Sequence, residues 1–332
     1  MGAEGSCEIA SSEKEALPVR AVHALATPAL LVTSMLAWIV LWTTGVPPVA
    51  SSLAASIVMV AGLLLLERVT PRPGLGPRPA GTLRSDVAFT ATTTMVAIVA
   101  PSWLVIPLGR AVAAELGTAR VWPAGLPLWA SALAAVLVAD LTSYWWHRLQ
   151  HTTGESWLWR LHSVHHSPRH FDFWMGARVH PLDTLGFTIV GFGVLAALGT
   201  PRVAIEIAVF FAAMVGAVHH TRVDTDCRWL NRVIPFADHH VVHHSIFPHD
   251  AGNYGNITTL FDGLFGTYRA PTPRSCAPVG AWSLAEDFPQ GAYAFQLLTP
   301  FGRFWRRATS SAASRHVDAP SADHAAWRSF SR

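Results

Sequence analysis

The chain has 332 residues, 51% of them hydrophobic and only 14% charged, against the roughly 25% charge usual in soluble domains. That composition argues against a water-soluble globular protein and for a membrane protein. The formal net charge of +3 comes from basic residues scattered among apolar runs, not from a stripe beside exposed aromatics, which argues against nucleic-acid binding. Three cysteines, Cys7, Cys227 and Cys276, lie far apart and form no CxxC, so neither a disulfide framework nor a thiolate zinc site is indicated.

The first 20 residues are polar, and the opening "MGAEGS" fits the short myristoylation pattern. This start reads as a cytosolic tail leading into a retained helix, because the first apolar run is too long for a signal-peptide core. Four apolar runs follow, at about 22–45, 50–66, 86–108 and 128–146, each near the roughly 20 residues that cross the hydrocarbon at ~1.5 Å per residue. Between the first two lies the uncharged turn "TTGVPPVASS". Between the second and third lies a loop carrying Arg68, Arg72, Arg78 and Arg84, which the positive-inside rule assigns to the cytosol. Alternation then returns the end of the fourth helix, from His147 onward, to the cytosolic side.

A further apolar stretch, 184–218, is broken at "GTPR" and reads as a helical hairpin. A hairpin keeps the histidines on its two flanks together, whereas a single crossing would separate them. Near the end, "FQLLTPFGRFWRR" mixes aromatic, aliphatic and arginine side chains, the makeup of a segment lying in the membrane interface; a short packed helix is the bland alternative. The segment from 308 onward is small, polar and expected to be disordered. The expected fold is therefore all-α: about four transmembrane spans plus a hairpin, with a cytosolic, histidine-rich helical cap. Its divisions are a polar tail (1–20), N-terminal transmembrane helices and loops (21–127), a fourth span with the catalytic region (128–271), an interfacial segment (272–307) and a disordered tail (308–332).

Fourteen of the seventeen histidines fall between His147 and His249. Residues three and four apart share a helix face, so His147 and His151 in "HRLQH" point the same way. The same holds for His162, His165 and His166 in "HSVHH", and for His240, His243 and His244 in "HVVHH". Neutral imidazole is the commonest side-chain metal ligand. Eight imidazoles exceed what one ion of four to six ligands takes up, so the count favours two metals. A non-metal explanation would have to satisfy eight coaligned rings at a bilayer edge, where each unpaired polar group costs several kcal/mol. His23, His316 and His324 are isolated, and His170 and His249 sit in polar loops, so these five are read as non-ligands.

The motifs "HRLQH", "HSVHHS", "RVHPLD", "HHVVHHS" and "NYGNITTLFDGLFGTY", running from about Asp140 to Arg269, resemble the fatty acid hydroxylase/sterol desaturase superfamily of integral-membrane di-iron oxygenases. The resemblance implies two irons held by His147 and His151, by His162, His165 and His166, and by His240, His243 and His244. It also implies a histidine in "VHHTRV", matched to His220 rather than His219, and His180 in "RVHPLD" as a ligand or close neighbour. The implied cofactors are two iron ions with O2 as co-substrate. The implied partners are a hydrophobic or lipid substrate and a separate electron donor, a reductase or ferredoxin, since the chain offers no segment for a fused cytochrome or flavin domain. The implied reaction is hydroxylation, with desaturation by the same family as the alternative. The sequence departs from the family pattern at Asp172 and Arg222, where asparagines are usual, and at Phe261, where a tryptophan is usual. Asp140, one heptad before His147, and Asp262 are expected to accept the outer N–H of ligating imidazoles. Rival readings are a zinc hydrolase, disfavoured by the missing HExxH, and a non-oxygenase membrane protein that binds metal or haem.

Overall fold

The computed structural model describes residues 17–302, apart from 74, 76, 77, 155, 228, 248, 249, 272–277, 282, 283 and 285–287. The "MGAEGS" start, the tail from 308, His249, His316, His324, Cys7, Cys276 and the basic part of "FQLLTPFGRFWRR" lie outside the described residues. Among the described residues the protein is helical, with no strand and two isolated bridges, Pro71–Val223 and Ser245–Val279.

Among the described residues, five helices are long and apolar enough to cross a membrane. The first two are α1 (Leu17–Thr43) and α2 (Pro48–Val69), the latter opened by prolines at its first positions, where a missing N–H costs nothing. The third is a 35-residue rod in which α3 (Thr82–Ala100) and α4 (Ile106–Leu116) are joined by a π turn at Pro101–Val105. Pro101 has no N–H to give and its ring crowds the carbonyl one turn back, and a widened turn absorbs both effects. The remaining two are α5 (Leu128–Thr152) and α10 (Arg202–His219). The expected hairpin is present. Its first arm, Pro181–Ala197, runs from α8 (Pro181–Thr188) through a second π turn at Ile189–Gly193 into α9 (Val194–Ala197), and α10 is the returning arm.

The connections sort to two ends of the bundle. At one end, the loop before α5 meets the hairpin turn, with the Trp122 amide donating to the Leu198 carbonyl at 2.9 Å and the Thr118 hydroxyl to the Ala197 carbonyl at 2.7 Å. The hairpin therefore reaches the far end of the bundle, and its returning arm counts as the fifth span. At the other end lie the C-termini of α2, α5 and α10 and the N-termini of α3 and α8. Short helices gather there: α6 (Trp157–His166), α7 (Phe173–Gly176), α11 (Ala237–His243), α12 (Leu260–Leu264) and α13 (Tyr293–Leu298). The arginine-bearing loop after α2 joins this end, since the Arg72 amide donates to the Arg222 carbonyl at 2.8 Å and the Asp224 amide to the Thr70 carbonyl at 2.7 Å.

Two carboxylates, the half-buried Glu67 and the fully buried Asp86, lock the spans to this end. Glu67, at the end of α2, accepts the amides of Phe173 and Arg222, each at 2.7 Å. Asp86, in the first turns of α3, takes Arg78, His170 at 3.1 Å and the fully buried Arg178 at 2.7 Å. A carboxylate placed so deep is costly unless its lone pairs are filled, and here they are filled by groups from the helical cap.

Candidate metal centre

Nine imidazoles meet where α5 and α10 end. His147, His151, His162, His166 and His243 form one group, and His165, His220, His240 and His244 a second; within each, the ligand nitrogens all lie within 4.8 Å of one another. The groups touch, with the His166 and His244 rings stacked at 4.3 Å between centroids. All nine rings are buried except that of His151, which is half-buried.

The division of each HxxHH follows from helix geometry. At about 100° per residue, positions i and i+4 differ by only about 40°, whereas i+3 and i+4 differ by about 100°. His162 and His166 therefore enter the first group and His165 turns into the second. In α11 the same split runs the other way: His240 and His244 enter the second group and His243 the first. The two triads thus cross over, each giving a pair to one group and a single ring to the other. The set is completed by His147 and His151 from the last turns of α5, and by His220 just past α10.

The ring nitrogens identify what the groups are suited to hold. A carbonyl oxygen can only accept, so His147, whose Nδ1 lies 2.8 Å from the Tyr254 carbonyl, carries its proton there and presents a bare Nε2. His162 does the same, with Nδ1 at 2.9 Å from Asp183. Yet the two Nε2 atoms stand 3.0 Å apart. Two lone pairs cannot hydrogen-bond, and a cation between them resolves the contact. In the second group one ring is fixed in the same way: His220 turns Nδ1 to the Gly216 carbonyl at 3.2 Å, and its bare Nε2 sits 3.0 Å from His240 Nε2 and 3.1 Å from His165 Nε2. In the first group, His243 donates Nδ1 to the Gly252 carbonyl at 2.8 Å, and its buried Nε2 meets no partner. Burial, with some help from neighbouring imidazoles, holds His162, His165, His166, His220, His240 and His244 well below the ordinary histidine value, and burial pushes His243 down to about 4. Neutral rings with converging lone pairs fit a pair of metal ions.

Residues 132–267 match the fatty acid hydroxylase family. This stretch of the chain is a fatty acid hydroxylase domain. Among similar proteins, ornithine lipid hydroxylase OlsE of Rhizobium tropici is 28% identical over 253 residues, covering 75% of each chain. Alkylglycerol monooxygenase of Caenorhabditis elegans is 27% identical over 132 residues, 40% of this chain and 25% of that one. Delta(7)-sterol 5(6)-desaturase ERG3B of Gibberella zeae is 30% identical over 150 residues, 43% of each. No solved structure matches the chain significantly. These relatives are named as hydroxylases, monooxygenases and desaturases, all oxidoreductases, and this membrane protein is an oxidoreductase with them.

Within the hydroxylase domain, nine of the ten histidines expected from sequence as ligands fall in the two groups. His180 does not. Its Nδ1 caps the start of α8 by accepting the Leu182 amide at 3.2 Å, and its Nε2 faces the Leu297 carbonyl at 3.2 Å. His219 also stays outside both groups, its ring stacked on His240 at 4.1 Å. His170 is buried against Asp86, and His23 lies 3.6 Å from Asp224.

The expected roles of Asp140 and Asp262 are corrected: neither touches a ligand ring. Asp140 accepts the amides of Ile257 and Thr258, each at 3.0 Å, and the Thr258 hydroxyl. Asp262 accepts the amides of Tyr254 at 2.8 Å and Gly255 at 2.7 Å and the Thr267 hydroxyl at 2.7 Å. Both shape the 252–268 loop, whose Gly252 and Tyr254 carbonyls in turn orient His243 and His147. The loop turns so tightly at Gly252 (φ +155°) that a Cβ there would stand 2.4 Å from the Thr267 carbonyl. "NYGNITTLFDGLFGTY" therefore supplies the Tyr254 carbonyl, follows directly on that of Gly252, and gives no ring to either group. The carboxylate that does reach a ligand is Asp183, in the quoted "RVHPLD". The signal for it was an acidic residue at the mouth of an apolar run, one helical turn past His180. Gly176 was also missed: a Cβ there would lie 2.3 Å from His220 Cβ, so only glycine admits that ring.

The bracing of the site extends beyond the matched residues. The Gly280 amide donates to the His244 carbonyl at 3.0 Å, and Gln290 Nε2 to the Ser167 carbonyl at 2.8 Å. Segment 278–299 thus holds the end of each HxxHH.

Proposed function

We propose that this protein is an O2-dependent di-iron oxygenase that hydroxylates an unactivated C–H bond of a membrane lipid. The observation that carries the reading is the pair of histidine groups with inward, unprotonated Nε2 atoms. The first group would hold one iron and the second the other. When bound, the irons supply O2 activation and removal of a hydrogen atom from an unreactive carbon. The residues supply what such chemistry needs from a protein. Carbonyl and carboxylate acceptors fix which nitrogen is bare in His147, His162, His220 and His243. The rings of Phe187 and Tyr254, 5.8 Å from His147, wall that side of the first group. No side-chain nucleophile is called for.

Hydroxylation is preferred because the similarity that runs along most of the chain is to a lipid hydroxylase, whereas the likeness to sterol desaturases covers less than half. A lipid with a polar head and an alkyl chain suits a metal centre at the mouth of a helical bundle, with the head at the interface and the chain between helices. The cytosolic side is supported by the loop carrying Arg68, Arg72, Arg78 and Arg84, which lies at the histidine end. Electrons would come from a separate reductase or ferredoxin on that side.

The test is purification of the full chain in detergent, metal analysis with a visible spectrum, and lipid profiling of membranes with and without the protein. Two irons per chain, no Soret band and a lipid product heavier by one oxygen are expected. A product lighter by two hydrogens would move the reading to a desaturase. Haem, or zinc with no turnover after reconstitution with iron and a reductant, would overturn it.

A further inference from the structure

The two histidine groups are not equally prepared for a cation. In the first, three rings are locked with the inner nitrogen bare: His147 and His243 on carbonyls at 2.8 Å, and His162 on Asp183 at 2.9 Å. In the second, His220 reaches its carbonyl only at 3.2 Å, and the buried Nδ1 of His240 meets no partner. Among the described residues no carboxylate other than Asp183 is seen against a ring of either group. Asp183 has no exposed surface, and its second oxygen takes Gln150 Nε2 at 2.5 Å. Gln150 is itself fully buried on α5, between His147 and His151. The carboxylate is thus fixed from both sides and faces His162 alone. A carboxylate behind a metal-binding imidazole holds the ring's orientation and raises the basicity of its inner nitrogen, and losing such a partner typically weakens metal binding by about 10–100-fold.

We propose that Asp183, acting through His162 as a positioning residue, makes the first group the tighter of the two metal positions and the one filled first, leaving the second group the weaker and more exchangeable. This rests on the two-metal reading above. Locked rings lose less freedom when the ion arrives, and among the described residues only the first group has a carboxyl group behind one of its rings.

The experiment is titration of the metal-free full chain in detergent with Co2+ alone, followed by its visible absorption, in the native protein and in Asp183→Ala, Asp183→Asn and His220→Ala. The native protein should bind two equivalents, the first at least tenfold tighter. Asp183→Ala should weaken the first by about 10–100-fold and leave the second within about twofold, so that the two steps merge. Asp183→Asn, which keeps an acceptor without the charge, should fall between. His220→Ala should lose the second step and keep the first, which tests the order of filling even if the Asp183 variants do not fold. Two equal steps in the native protein, or loss of the first step in His220→Ala, would overturn the proposal while leaving the two-metal reading intact. Fewer than two equivalents in the native protein would remove both.

Discussion

The outer helices and the inner pair obey different rules. The most apolar windows of α1, α2 and α3–α4 have mean hydropathies of 2.0, 2.4 and 1.7, yet only 22%, 22% and 17% of each window is buried in the protein. For α5 and α10 the hydropathies are 1.3 and 1.7 and the buried shares 39% and 44%. In water the more apolar helix would be the more buried one, but in a bilayer lipid is the apolar solvent. Away from Glu67 and Asp86 at their ends, the outer helices are largely apolar, and several of their hydroxyls turn back to their own carbonyls, as Thr43 does to Ile39 at 2.8 Å and Thr92 to Ala88 at 2.8 Å. The inner pair carries what lipid does not tolerate. Asp140, His147 and Gln150 on α5 have at most 2% of their surface exposed, and each is hydrogen-bonded to a neighbouring segment.

The contrast is broken most sharply at the ligands. His165→Ala and His243→Ala should each abolish turnover, by at least ~100-fold, and lower bound metal, while membrane insertion stays normal; full activity in either variant removes that residue from the site. Acid should come next. His243 sits at about 4, and His162, His165, His166, His220, His240 and His244 well below the ordinary value of 6.5, so the unfolded chain binds more protons below that value. The metal-free protein should therefore keep its full stability above about pH 6.5 and lose it as the pH falls toward 4, with His243 alone contributing about 3 kcal/mol at ~1.4 kcal/mol per pH unit. Thermal unfolding of the apo-protein across that range checks the sign, and greater stability at pH 5 than at pH 7 would contradict it.

Asp140→Ala leaves the Ile257 and Thr258 donors unanswered and should cost about 3 kcal/mol, with reduced metal content because the loop that carries the Tyr254 carbonyl loses one of its two carboxylate anchors. Denaturation in detergent would show it, and an unchanged midpoint would make Asp140 a bystander. The smallest effects separate the two kinds of helix directly. Ala139→Leu overpacks the fully buried face of α5 and should cost about 1–3 kcal/mol. Leu53→Ala, 63% exposed on α2, should stay within about 0.5 kcal/mol. Equal losses at the two positions would mean that α2 is covered by protein rather than lipid.

Much of this was legible in one dimension. The 3.6-residue period reveals itself in HxxHH, and apolar runs of about 20 residues name the spans. The third run, read as 86–108, is part of a longer rod, Thr82–Leu116, in which a π turn carries the helix through Pro101. The hairpin followed from a break at "GTPR", with Pro201 in place to start the returning arm. What stayed hidden depends on contacts between distant segments. Asp140 and Asp262 looked like partners of histidine because an acid near a ligand in sequence suggests one near it in space, yet their oxygens are spent on loop amides more than a hundred and about eight residues away, respectively. Asp183 reaches His162 across 21 residues, and no periodicity announces that pairing.

The residue types and their spacing determined on their own that this chain is a helical membrane protein with metal-seeking histidine faces, because hydrophobic length and helical period are properties of a single segment. Only the tertiary structure decided that each triad is shared between two groups, that the ring of His180 caps a helix, and which acceptor stands behind each ring. Those outcomes rest on lone pairs and protons meeting across separate helices, where an ångström changes the partner.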